Sequence, residues 1–264
     1  MTWVSETMEV DGVKLGVRRR GEGAPVVILY GDQPETPVPL FDDALAGRFQ
    51  AVVPSLPGVN RSELPDWADT MEDLAFLGLD LLEGLDAGPV DVIAHGFGGW
   101  VAAEMAVRAH QQIRRLALVD SVGIKVSSPT VRDVQDVYVY TVQEVAELAW
   151  HDPAAAKALR WPGMEGVEGD ELLTLLRNRQ SVLKFAWRPF MYNPKLMRRL
   201  ARIRVPAHLF WGESDRVVTP DYGRALQQAI PGAGLTAIPK AGHYPQWEQP
   251  KALARAVTEF LESE

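Results

Sequence analysis

The segment Asp91-Val-Ile-Ala-His95-Gly96-Phe97-Gly98-Gly99-Trp100 reads as a short strand, a sharp turn and the start of a helix. That layout is the G-x-S-x-G elbow, which raises a nucleophilic serine, yet the central position here is Gly96 and carries no side chain. Further along, Trp211-Gly-Glu-Ser-Asp215 supplies an acid and Ala241-Gly-His243-Tyr-Pro a histidine, in the order nucleophile, acid, base. A carboxylate that fixes the tautomer of an imidazole makes that ring able to take and return a proton. The proton-handling pair is therefore present while the attacking oxygen is missing. Losing the nucleophile of such a triad removes a factor on the order of 10⁶ in rate. Ser55, Ser62, Ser121 and Ser214 lie on other segments and do not obviously replace it.

Elements that must position these residues are legible around them. Met8 to Arg18 alternates apolar and polar residues about Asp11-Gly12, a strong hairpin signal. Pro25 to Leu29, Gln50 to Val53, Val90 to Ala94, Leu116 to Val119, Ala207 to Trp211 and Leu235 to Ile238 are short apolar runs expected to be buried strands. Thr70 to Leu85, Gly98 to Gln111, Pro220 to Ala229 and Pro250 to Leu261 have helical apolar spacing. Asp152-Pro153, Asn193-Pro194 and Thr219-Pro220 each put a capping side chain ahead of a proline and mark helix starts. Strands that alternate with helices argue for a largely parallel sheet covered on both faces. Gly96, Asp215 and His243 all follow strands, at the carboxyl edge where open α/β sheets bind ligands.

In these motifs and their order the chain resembles the α/β-hydrolase fold superfamily from end to end, as a capped member with glycine in place of the nucleophilic serine. The resemblance implies a mostly parallel eight-stranded sheet with flanking helices and a helical cap insertion. Residues 1–123 and 201–264 would form the core domain and 124–200 the cap. It assigns Asp215 as the family acid, His243 as the base, Gly96 as the nucleophile position, and the backbone amides of Asp32 and Phe97 as the oxyanion hole. Many relatives carry His-Gly after the third strand; this chain has Tyr30-Gly31-Asp32-Gln33. An inward Asp32 carboxylate would oppose a developing oxyanion, whereas an outward one would cap its loop; both are open. Pro54 to Ser62 occupies the family's D-x-P-G-x-G-x-S loop, with Ser55 and Asn60 in unexpected places.

Tyr30, Trp100, Tyr140, Trp187 and Tyr244 are the candidate substrate-binding residues. The cap also holds Tyr138, Trp150, Trp161, Phe185, Phe190 and Tyr192, of which a minority are expected on a cavity wall and the rest in a core. His95 reads as a buried hydrogen-bonding residue rather than a ligand.

Composition narrows the partners. The 264 residues are 47% hydrophobic and 23% charged, with net charge -8, an ordinary globular balance that argues against nucleic acid. Apolar runs are far shorter than the ~20 residues of a membrane helix. No cysteine is present, so thiolate chemistry and disulfides are excluded. The start lacks a signal-peptide pattern, and a cytoplasmic location is the expectation. The five histidines show no zinc spacing and no G-x-G-x-x-G precedes an acid such as Asp120, so no metal and no organic cofactor is expected.

Three functions remain open. One is an enzyme that uses the His243–Asp215 pair directly as general base and acid on an apolar or aromatic small molecule, in lyase, isomerase or water-activating hydrolase chemistry. The second is a serine ester or C–C hydrolase whose serine has been replaced by glycine. The third is a ligand-binding protein without catalysis.

Overall fold

The computed structural model describes residues 2–35, 39–158 and 167–263. Its centre is one eight-stranded sheet in the order β1-β2-β4-β3-β5-β6-β7-β8. The chain opens with a hairpin of β1 (Val4–Val10) and β2 (Val13–Arg20). Asp11 and Gly12 both take left-handed φ, +48° and +75°, the conformation that a two-residue turn of matching twist requires. From β3 (Pro25–Leu29) and β4 (Gln50–Pro54) onward, β3, β4, β5 (Val90–His95), β6 (Ile113–Val119), β7 (Ala207–Gly212) and β8 (Gly234–Ile238) pair in parallel. The fold is therefore the α/β-hydrolase arrangement that the sequence implies.

Side chains alternate between the two faces of the sheet, so each strand feeds two cores. Val27, Leu29, Val92, Ala94, Leu116 and Leu118 meet α2 (Met71–Gly84) and α3 (Gly96–Ala109) on one face. Val26, Ile28, Ile93, Ala117 and Val119 meet α1 (Leu40–Leu45) and α10 (Pro250–Leu261) on the other. Val101 and Met105 of α3 are fully buried. Helix α2 starts in a reciprocal cap: the Thr70 hydroxyl accepts from the Asp73 N–H and the Asp73 carboxylate accepts from the Thr70 N–H.

Between β6 and β7 the described residues contain α4 (Val142–Ala149), α5 (Pro153–Ala158), α6 (Gly169–Ala186) and α7 (Leu196–Arg199) and no strand of the sheet. Asn193-Pro194 does not open α7 directly. Asn193 Oδ1 instead accepts the Lys195 N–H at 2.9 Å, a local turn that delays the helix to Leu196. Beyond β7, α8 (Pro220–Ala229) starts at its proline, with no side-chain hydrogen bond from Thr219, and α9 (Pro245–Glu248) precedes α10. Trp161 lies outside the described residues. No described helix is long and apolar enough to cross a membrane.

Candidate functional site

Gly96 sits at the junction of β5 and α3 with φ +51°. That left-handed turn costs a side-chain-bearing residue on the order of 1 kcal/mol and costs glycine little. The turn is pulled tight onto its neighbours: a Cβ on Gly98 would fall 2.5 Å from the Leu29 carbonyl oxygen, and one on Gly99 would fall 1.9 Å from Ser121 Oγ. Helix α3 can approach the sheet this closely only through glycines.

Asp215 and His243 reach the turn from β7 and β8. The Nδ1 of His243 is 2.8 Å from Asp215 Oδ2. Asp215 Oδ1 accepts the Val217 and Val218 N–H groups at 2.8 and 2.9 Å, and its side chain is wholly buried. With Oδ1 held by two amides, Oδ2 is left for the imidazole, which directs Nε2 toward Gly96. A Cβ built on Gly96 would stand 3.7 Å from that nitrogen.

The His243 loop is anchored independently. Its N–H donates to the Ala149 carbonyl at 2.6 Å, and the preceding Gly242 N–H donates to Glu248 Oε2 at 2.6 Å. Glu248 Oε1 also accepts the N–H of His151 at 2.8 Å. One α9 carboxylate therefore ties the histidine loop to the segment between α4 and α5. Burial raises the Glu248 carboxyl above its usual range, and the amides it accepts oppose that shift.

The pair opens on a cavity of about 130 Å³. That is roughly ten times the 10–15 Å³ needed for one water, so a small organic molecule fits. Of the residues singled out by sequence, Tyr30, Asp32, Gly96, Phe97, His243 and Tyr244 line it, with Asp215 behind His243. Among the described residues Tyr138 is the aromatic residue of the β6–β7 segment on the wall. A Cβ on Gly31 would stand 3.1 Å from that of Phe97, so the Asp32 and Phe97 loops meet at the cavity.

Three expected wall residues lie elsewhere. Trp100 is 2% exposed, edge-on to Phe97 with ring centroids 5.9 Å apart, and its Nε1 donates to Glu104 Oε1 at 3.3 Å. It belongs to the core, packed so closely on Gly123 beyond β6 that a Cβ there would fall 2.6 Å from the indole. Tyr140 is 38% exposed and its hydroxyl donates to Gln135 Oε1, while Trp187 is 46% exposed against Phe190; both sit on the outer side of their segments.

His95 is buried but makes no hydrogen bond of good geometry through either ring nitrogen, contrary to the sequence expectation. It packs as an aromatic, stacked on Tyr30 at 4.6 Å and edge-on to Phe41. Burial, helped by His243, lowers its pKa to about 3. Beneath it the Tyr30 hydroxyl donates to Asp42 Oδ1 at 2.5 Å. Burial raises Asp42 to about 7 against the opposing pull of that hydrogen bond and of Arg18.

Further residues complete the site, of which Asn178 and Arg179 carried no signal in the sequence. Asp32 turns to the cavity and its Oδ2 accepts the Tyr138 hydroxyl at 3.3 Å. Burial and the Asp32 charge push that phenol well above its ordinary range. Asn178 of α6 donates to the Asp32 carbonyl at 3.3 Å and exchanges hydrogen bonds with Asn60, which also donates to Ser55 Oγ at 3.0 Å. The odd residues of the 54–62 loop thus join α6 to the Asp32 loop. Arg179, also on α6, lines the cavity, and its charge opposes the rise of Tyr138 and Tyr244.

Asp120, at the end of β6, is buried and accepts the Gly212 N–H at 2.9 Å. Among the described residues Asp120, Asp215 and His243 form the group of three that could share a metal ion, with ligand atoms within 4.8 Å of one another. Asp215 spends both oxygens on hydrogen bonds and Asp120 Oδ1 accepts the Gly212 N–H, while Asp120 Oδ2 is buried with no N–H or O–H donating to it.

The sequence matches the model of the alpha/beta hydrolase family over residues 30–256. It is 26% identical to 2-hydroxymuconate semialdehyde hydrolase of Pseudomonas putida, covering 95% of this chain and 91% of that one. It is 25% identical to a 2-hydroxy-6-oxononadienedioate/2-hydroxy-6-oxononatrienedioate hydrolase of Burkholderia vietnamiensis, over 95% and 92% of the two chains. Among solved structures, 2-hydroxy-6-oxo-6-phenylhexa-2,4-dienoate hydrolase of a Rhodococcus species superposes with a TM-score of 0.77 at 20% identity, over 99% of both chains. A serine hydrolase involved in carbazole degradation does so with 0.77 at 17% identity, over 98% and 99%. With most of its length matched and its eight strands in the corresponding fold, the chain belongs to the alpha/beta hydrolase family.

Proposed function

We propose that the protein is an enzyme in which His243 and Asp215 act directly as general base and acid on a small oxo acid, with no acyl-serine stage. The observation that carries this is the His243–Asp215 hydrogen bond of 2.8 Å with Nε2 facing the bare turn at Gly96. A buried carboxylate with three donors and a part-exposed imidazole forms a costly arrangement unless the ring has a proton to move.

A water placed against Gly96 would give a proton to His243 Nε2 as its oxygen bonds to the substrate carbonyl carbon. Asp215 holds Nδ1–H and stabilises the imidazolium that results. The N–H groups of Asp32 and Phe97 are the candidate donors to the carbonyl oxygen. Collapse of the adduct breaks the bond to the leaving carbon, and the imidazolium returns its proton to that carbon. Atoms balance as addition of one water and cleavage of one C–C bond. The leaving carbon needs an electron sink, so a 2-hydroxy-6-oxo-dienoate of the kind that the names of two relatives specify first loses its 2-hydroxyl proton and gains one at C5; cleavage of C5–C6 then leaves a dienolate conjugated to the 2-oxo group, which the imidazolium protonates. Arg179 supplies a cation on the same cavity for the carboxylate of such a compound. In this reading residues 124–200 cap the site.

The test is incubation with a 2-hydroxy-6-oxo-2,4-dienoate, following the dienol chromophore and the mass of the products. Turnover that vanishes in His243→Ala supports the reading. Turnover that survives removes the pair from the mechanism, and tight binding without turnover supports the ligand-binding alternative. One observation favours a second reading, a hydrolase whose serine has been replaced: the space at Gly96 accepts a Cβ in ordinary van der Waals contact with His243.

A further inference from the structure

We propose that Asp120 is a positioning residue that carries a proton at neutral pH, donates it in a hydrogen bond to Asp215, and so limits how basic His243 becomes. The inference rests on His243 being the proton-handling group.

Asp120 is placed by backbone geometry rather than by a loop free to move. It directly follows β6 with φ +42°, in the left-handed region that aspartate tolerates better than most residues. Its Oδ1 is fixed by the Gly212 N–H at 2.9 Å, the residue that ends the neighbouring strand β7. The fixed oxygen leaves Oδ2 buried, with no N–H or O–H of another residue donating to it. An oxygen of Asp120, an oxygen of Asp215 and a ring nitrogen of His243 all lie within 4.8 Å of one another.

Charge then decides the protonation pattern. Among the described residues no lysine or arginine pairs with Asp120 or Asp215. Two buried carboxylates at this separation, facing a neutral imidazole, cannot both stay ionised. Asp215 is the one that accepts three donors, namely Val217 N–H, Val218 N–H and His243 Nδ1–H, so it keeps the negative charge. Asp120 accepts one, so it keeps the proton. Burial, followed by the Asp215 charge, pushes the Asp120 carboxyl well above its usual range, in the same direction.

The other titratable groups acting on this trio are Glu248 from α9, which favours protonated Asp120, together with His95 at the end of β5 and Tyr244 beside His243. A fourth donor on Asp215 spreads its charge further. The imidazolium formed during turnover is then stabilised less than it would be by a carboxylate with no such neighbour, which makes return of the proton to the leaving carbon easier.

The experiment is an NMR titration of the labelled His243 ring in wild type, Asp120→Asn and Asp120→Ala. Asparagine is neutral like protonated aspartate, can donate to Asp215 and can accept from the Gly212 N–H. Its His243 midpoint is expected within a few tenths of the wild-type value. Alanine removes the donor, leaves Asp215 more basic, and is expected to raise the midpoint by about one pH unit. A fall of about one unit in Asp120→Asn would mean that Asp120 was an anion, and an unchanged midpoint in Asp120→Ala would mean no coupling; either result overturns the proposal. Should Asp120→Ala fail to fold, infrared spectroscopy at pH 7 decides. In the wild-type minus Asp120→Asn difference spectrum, where the carboxyl bands shared by both proteins such as that of Asp42 cancel, the carbonyl stretch of one protonated carboxyl must remain, and its absence overturns the proposal. Neither readout needs a substrate, so failure of the proposed reaction and failure of this coupling are separable.

Discussion

His243 Nε2 and Gly96 face each other so that a Cβ on the glycine would stand 3.7 Å from the nitrogen. A serine hydroxyl extending from that Cβ comes within hydrogen-bond reach of the imidazole. Gly96→Ser is therefore expected to hydrolyse small activated esters such as p-nitrophenyl acetate, with an acyl-enzyme burst, while Gly96→Ala gains nothing. Because residue 96 has φ +51°, both variants should lose about 1 kcal/mol of stability. A folded Gly96→Ser that shows no more esterase activity than Gly96→Ala would mean that the pair cannot activate a hydroxyl there.

Asp215→Asn separates orientation from packing. The asparagine oxygen can still accept the Val217 and Val218 amides, so the loop should hold. Its NH₂ then faces His243 Nδ1 and favours the tautomer that carries its proton on Nε2, the wrong one for a base. Turnover is expected to fall by about 10³–10⁴ with little change in melting temperature, as when the acid of a triad is neutralised. A drop below about tenfold would remove Asp215 from the chemistry.

Arg179 makes the substrate-charge expectation measurable. A charge-assisted hydrogen bond to a carboxylate contributes about 1.5–3 kcal/mol. Arg179→Met should raise KM for a dienoate roughly 10–100-fold and leave kcat nearly intact, as expected for uniform binding. The methyl ester of the same compound should be indifferent to the substitution. Equal effects on acid and ester would place the carboxylate elsewhere.

The sheet could be read from the chain because each parallel strand is apolar on both faces, and because the 3.6-residue spacing of α2, α8 and α10 needs no tertiary information. Asp215 and His243 could be picked out because both stand in family-like flanks close after a strand. The expectations that the structure corrects depend on rotation about an axis. Trp100 is one turn along α3, and only the packing of that helix decides that its ring lies buried against Gly123 and Phe97 and not on the cavity. Tyr140 and Trp187 sit in the long β6–β7 segment, whose inner face cannot be told from composition. The role of Asp120 and the place of Arg179 could not be read for another reason. Asp120 gains meaning only because β6 and β7 are adjacent, and Arg179 only because α6 lies over the cavity.

Two buried groups beside the site pull stability in opposite directions with pH. Asp42 has its pKa raised from 3.8 to about 7, so the folded state holds a proton that the unfolded state releases. Its contribution is fully present below pH 3.8 and is lost as pH rises to about 7. His95 is lowered from 6.5 to about 3, so the unfolded state binds the extra proton. Its contribution is present above pH 6.5 and is lost as pH falls to about 3. Shifts of this size correspond to several kcal/mol each, on the order of 1.4 per pH unit. In the overlap of the two windows the slopes cancel, and these residues together should leave wild-type stability nearly flat. Asp42→Asn removes one slope, so denaturant unfolding of that variant should show stability decreasing steadily on acidification through the overlap. His95→Gln removes the other, and its stability should increase on acidification over the same range. If both variants keep the wild-type pH profile, the two groups do not carry the protonation states that their burial imposes.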